Sequence, residues 1–186
     1  RAQKNLIQQN GRKINFLKTH SCFFTNENYS FSNKENTLGA IYIVRDPRNV
    51  VSSMKHHYQL TEKDSLERML DKNLFIEKTN THADIFLSSW NLNYLSWKKL
   101  NDKVMFIKYE DLIHKKKETL IKVFKFFETL GMKNSSFDLA KLEKVLDSTE
   151  FDKMKKLEQK VEFKEAVVDK KTGKNIPFFN LGPKNQ

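Results

Sequence analysis

The sequence is poor in cysteine: Cys22 is the only one in 186 residues. An internal disulfide is therefore excluded, and such a thiol suits a reducing compartment. No apolar run approaches the roughly 18 residues that span a bilayer, and no secretory-leader pattern of charge, apolar stretch and small residues occurs. A cytoplasmic location without a membrane partner is the expectation. There is no internal repeat and no G-x-x-x-x-G-K-[ST] phosphate loop. There is also no aromatic–basic alternation of the kind that reads RNA, so a nucleic-acid partner is not expected. His56 and His57 are adjacent on a helix and cannot face one metal, so no metal is expected. The first residue is Arg1 rather than Met, and the sequence is read as part of a longer chain.

What is present argues for a folded domain. Hydrophobic residues make up 38% and aromatics 12%, fifteen of them Phe, which is enough to build a core. The length suits one domain over residues 1–186. The net charge of +11 points to an anionic partner, whether a nucleotide, a nucleic acid or an acidic membrane surface, or else to a Lys-rich solvated surface; charge alone does not choose among them.

Hydrophobic periodicity divides the chain. Residues 1–12 read as a polar helix, 14–17 as a short buried strand and 26–37 as a surface loop. Residues 62–78 and 83–100 read as helices, the second with a broad apolar face that includes Ile85, Phe86, Trp90, Tyr94 and Trp97. Residues 104–107 form a strand, and 116–130 an amphipathic helix closed by Gly131. Helices follow over 137–146 and 151–159, the latter capped by Ser148 or Thr149, and the tail after Lys160 reads as an extended loop. Strands alternating with helices predict an α/β fold with a parallel sheet flanked by helices on both faces.

The densest signal is AIYIVRDPRNVVSSMKHHY, residues 40–58. A buried strand over 40–44 runs into a helix for which Asp46 is a natural N-cap and Pro47 a suitable first residue. Arg45 then stands at the carboxyl end of a strand, where ligands bind in open α/β sheets. Ser52 and Ser53 lie about two turns into the helix. A guanidinium beside a hydroxyl makes a phosphate cradle. LKTH, residues 17–20, puts His20 on a loop after a strand, where it can serve as a general base. VMFIKYEDL, residues 104–112, brings Tyr109 to another strand end, and its adjacent Glu110 and Asp111 suit structural hydrogen bonds. STEFDKM, residues 148–154, reads by itself as a helix cap followed by core residues. FFNLGPKNQ closes the chain.

In this order the five segments resemble those of sulfotransferases that use 3′-phosphoadenosine 5′-phosphosulfate (PAPS). The resemblance runs from Phe16 to Gly182 and implies a P-loop-NTPase-like sulfotransferase fold, incomplete at both ends. It implies that Arg45 and Ser53 hold the nucleotide's 3′-phosphate and that Tyr109 lies near the adenine. It gives Thr149 a hydrogen bond to the nucleotide and Phe151 a stacking role on the adenine. It brings the Gly182 backbone to the 3′-phosphate. His20 becomes the base that deprotonates an acceptor, and Lys18 a cation near the transferring group. Asn180 and Leu181 stand where the family often has Arg and Lys. The family's Pro-Lys-Ser-Gly-Thr-like phosphosulfate loop has no equivalent in these residues, and the polypeptide alone is expected to be inactive.

The implied reaction is sulfuryl transfer from PAPS to a hydroxyl or amine of a small acceptor. Positioning and cationic stabilisation of an in-line displacement explain the residue types. The alternatives are a non-catalytic module that binds adenosine 3′,5′-bisphosphate, and a basic nucleic-acid-binding protein. The acceptor would be chosen by residues 26–37, 59–78 and the tail. Phe23, Phe24 and Phe75 suit either an apolar acceptor pocket or the core. The motifs do not encode an oligomeric state.

Overall fold

The computed structural model describes residues 14–26, 29–33, 35–78, 84–132, 138–161, 163, 166–169, 171–180 and 182. The helix expected over 1–12 lies outside them. The chain is α/β. Strands β3 (Ala40–Val44) and β6 (Val104–Lys108) form a parallel pair. Among the described residues, three antiparallel ladders of two-residue strands accompany it. These are β1 (Thr25–Asn26) with β2 (Tyr29–Ser30), β4 (Phe75–Ile76) with β5 (Ile85–Phe86), and β7 (Val167–Val168) with β8 (Asn175–Ile176).

The strand–turn–helix follows its sequence. The Asp46 carboxylate accepts the Arg48 N–H at 2.9 Å and so caps α1 (Pro47–Tyr58), whose first position is proline. Gln59 then leaves the helix with φ 54°, returning its N–H to the Lys55 carbonyl. β3 alternates along its length, with Ala40, Tyr42 and Val44 half-buried and Ile41 and Ile43 exposed, rather than being buried throughout.

Six further helices lie among the described residues: α2 (Glu62–Leu70), α3 (Trp90–Trp97), α4 (Tyr109–His114), α5 (Lys116–Thr129), α6 (Leu139–Ser148) and α7 (Phe151–Lys160). Several depart from expectation. No strand forms over 14–17, where Phe16 is 70% and Leu17 63% exposed. An apolar run makes a strand only when another strand completes its ladder, and among the described residues none does so here. The helix expected over 62–78 stops at Leu70, because Asp71 accepts the Asn73 N–H at 2.8 Å and turns the chain into β4. The helix expected over 83–100 starts only at Trp90, after Ser88 has taken φ 57°. Glu150, rather than Ser148 or Thr149, holds the N-cap position of α7, without a side-chain cap bond. The tail carries the β7–β8 hairpin. Its turn is fastened by Asp169, which accepts the Lys171 and Thr172 N–H groups at 2.8 and 2.7 Å.

The chain divides into two compact units, Arg1–Tyr42 with Arg68–Met105, and Ile43–Glu67 with Phe106–Gln186. The first has an aromatic core. Trp97 is buried and meets Phe23, Phe31 and Tyr42 at ring-centroid distances of 5.4, 6.1 and 6.3 Å, with Cys22 and Leu100 also buried. Buried in the second are Ile107, Leu142, Ser65 and Thr119.

Candidate functional site

In the second unit, two parallel strands present their carboxyl ends on one edge. Arg45 follows β3 there, and Tyr109 follows β6 and opens α4. The Arg45 guanidinium carbon lies 4.6 Å from the centroid of the Tyr109 ring, a cation–π contact that fixes the charge over an aromatic face. The adjoining backbone is tied as well: the Asp46 N–H donates to Glu110 Oε1 at 3.0 Å. Glu110 thus serves the structural role its sequence context implied. Ser53 lies exposed on the second turn of α1. Hydrogen bonds from the Arg48 side chain and from its backbone N–H hold the Asp46 carboxyl down at about 2. The cap therefore stays ionised at neutral pH.

The tail meets α7 in the same unit. Gly182 has φ +53°, and a Cβ there would stand 2.2 Å from Phe151 Cε2. Only glycine fits this close approach to an aromatic ring. Thr149, just before α7, donates its hydroxyl to the Val145 carbonyl at 2.6 Å, and its own carbonyl accepts from Lys116 at 2.9 Å. A cavity of 540 Å³ opens between α1 and the tail, its lining including Ser52, Lys55, His56, Gln59, Asp169 and Asn180. Asp169 is committed to its own turn. The Thr172 and Lys171 backbone N–H groups are among the bonds that lower its pKa.

Lys18 and His20 belong to the first unit, both exposed. Their loop is anchored from α3. Asn93 Nδ2 donates to the His20 carbonyl at 3.2 Å and Trp97 Nε1 to the Ser21 carbonyl at 3.1 Å, while the Phe23 N–H donates to Ser96 Oγ at 2.8 Å. Cys22 is a buried thiol whose pKa burial pushes up, in keeping with a packing role.

The structure thus joins Arg45 to Tyr109, and Phe151 to Gly182, with Ser53 and Thr149 on neighbouring elements of the same unit. The missed residues are those that act through hydrogen bonds to backbone: Asn93, Ser96, Lys155 and Glu158. Only the i, i+4, i+7 spacing of Phe151, Lys155 and Glu158 could have signalled any of them.

An α/β protein with a guanidinium and an aromatic ring at a shared strand edge has the makings of a nucleotide-binding protein. Residues 6–180 match the family model of the sulfotransferase domain, and the chain belongs to that family. Among solved structures, that of mouse sulfotransferase SULT7A1 complexed with PAP is similar at 28% identity and a TM-score of 0.49. The match covers 66% of this chain and 41% of that one, so this chain spans less than half of that relative's length. No curated protein matches. Among the described residues, no helix is long and apolar enough to cross a membrane.

Proposed function

We propose that this chain forms the adenine-nucleotide site of a PAPS-dependent sulfotransferase whose acceptor is a small molecule with a hydroxyl or amine. Residues 1–186 are read as part of a single sulfotransferase domain. The observation that carries the reading is Arg45 held over Tyr109 at the edge where β3 and β6 end.

The residues present fit the nucleotide. Arg45 and Ser53 bind its 3′-phosphate, the first through a charge-assisted hydrogen bond. Tyr109 and Phe151 offer aromatic faces to adenine, and Thr149 a hydroxyl oxygen. Gly182 presents backbone with no Cβ in the way. When bound, PAPS supplies the sulfuryl group. On the protein side, His20 takes the proton of the acceptor and Lys18 contributes positive charge near the transferring group.

Calorimetric titration tests the binding step. Adenosine 3′,5′-bisphosphate should bind more tightly than 5′-AMP, and Arg45→Ala should remove that preference. A charge-assisted bond contributes about 1.5–3 kcal/mol, or roughly 10- to 100-fold in affinity. A preference that survives Arg45→Ala would refute the assignment. Binding without sulfuryl transfer by the whole protein would instead favour a non-catalytic nucleotide module.

A further inference from the structure

One face of α7 closes on the segment that leads to Gly182. Phe151 meets Phe179 edge to face at 5.9 Å between centroids, and its ring lies against Gly182. Four residues on, Lys155 Nζ donates to the Asn180 carbonyl at 3.2 Å and sits 6.0 Å from the Phe151 ring centroid. Three residues further, Glu158 accepts two successive backbone N–H groups, Phe178 on Oε1 at 2.6 Å and Phe179 on Oε2 at 3.1 Å. These three side chains are half-buried, whereas Asp152, Lys153 and Lys156 between them are exposed. Residues at this spacing share a helix face.

A carboxylate that gives one oxygen to each of two consecutive N–H groups fixes both peptide planes through charge-assisted bonds. The lysine fixes the next carbonyl. Three successive residues of the tail are thus held by two side chains, and the hold stops two positions before Gly182. Neither Asn180 nor Leu181 carries a charge that could reach a phosphate. From this segment only backbone can meet an anion at Gly182, beside Arg45 and Ser53, so the placement of that backbone bears on how well the anion binds.

We propose that Lys155 and Glu158 are positioning residues, holding residues 178–180 so that the backbone at Gly182 meets the 3′-phosphate of the nucleotide. The inference rests on the nucleotide reading above. It differs from a general stabilising role because it concerns one phosphate and not the nucleoside.

The test is titration of Glu158→Gln and Lys155→Met with adenosine 3′,5′-bisphosphate and with 5′-AMP, with amide hydrogen exchange at Phe178 and Phe179 in the same samples. The expected result for Glu158→Gln is about tenfold weaker binding of the bisphosphate, or ~1.4 kcal/mol. Affinity for 5′-AMP should be unchanged and exchange at both amides faster. Lys155→Met should act in the same direction and to a smaller extent. Variants that bind the bisphosphate as the wild type does, or lose both nucleotides in equal proportion, overturn the positioning role. A wild-type chain with no preference for the bisphosphate overturns the nucleotide reading instead, and the role falls with it.

Discussion

A Cβ at position 182 would stand 2.2 Å from the Phe151 ring, and the backbone there is left-handed. Gly182→Ala therefore has to displace an aromatic ring that packs against Phe179, and to adopt an unfavourable φ besides. Affinity for adenosine 3′,5′-bisphosphate should drop by about tenfold or more, from over 1.4 kcal/mol of strain. Calorimetry checks this, and unchanged affinity would separate Gly182 from the nucleotide. At this scale much of the molecule was legible. Asp46 and Pro47 announce their positions because capping is local chemistry. Arg45, Ser53 and Tyr109 fall on nameable segments. Lys155 and Glu158 shared a helix face with Phe151 but gave no sign of what they hold, which lies twenty or more residues away in sequence.

Elements show where local signals give out. The strand–turn–helix over 40–58, the strand β6 and the helix α5 formed where periodicity placed them. The two-residue strands did not announce themselves. β4 exists because Phe75 faces Phe86 and Ile76 faces Ile85, and such cross-strand pairing leaves no period in either segment. Two predictions belong here. The first concerns the cap of α1. Asp46 has its pKa lowered from 3.8 to about 2 in the folded chain, so its contribution is complete above 3.8 and is lost as pH falls towards 2. The wild type should therefore lose more thermal stability than Asp46→Asn over that interval. Parallel Tm–pH curves would show the cap to be indifferent to charge. The second concerns α3. Trp97→Ala empties a buried aromatic site and leaves the Ser21 carbonyl without its indole donor. A loss of about 3–5 kcal/mol is expected in chemical denaturation. A loss under ~1 kcal/mol would mean that the aromatic cluster is not the core of that unit.

For the molecule as a whole, the excess of 34 basic over 23 acidic side chains sets a background affinity for any polyanion. That background and the nucleotide site differ in how they respond to salt. Binding to a DNA duplex through many phosphate contacts should weaken steeply, by about 10³–10⁵ between 50 and 200 mM salt for six to ten contacts. Binding of adenosine 3′,5′-bisphosphate, proposed to rest on one phosphate at Arg45, should change far less. Titrations at the two salt concentrations check this. Equal slopes would make the chain a polyanion binder rather than a nucleotide site. The family was legible from the order of five short segments, because each carries its chemistry within a few residues. The acceptor was not, because residues 26–37 and 59–78 share no such local code.

The placement of the indoles has a spectroscopic consequence. The chain has two tryptophans, Trp90 and Trp97, and both lie in the first unit, whereas Arg45, Tyr109, Phe151 and Gly182 all lie in the second. Intrinsic emission excited at the indole band therefore reports the melting of one unit alone, while the proposed nucleotide contacts of these four residues would stabilise the other. A nucleotide that raises the emission midpoint shows that stability passes between the units, and a midpoint that stays fixed while calorimetric heat moves shows that they melt as separate bodies. The protein carries its own optical label on the unit that holds neither Arg45 nor Tyr109.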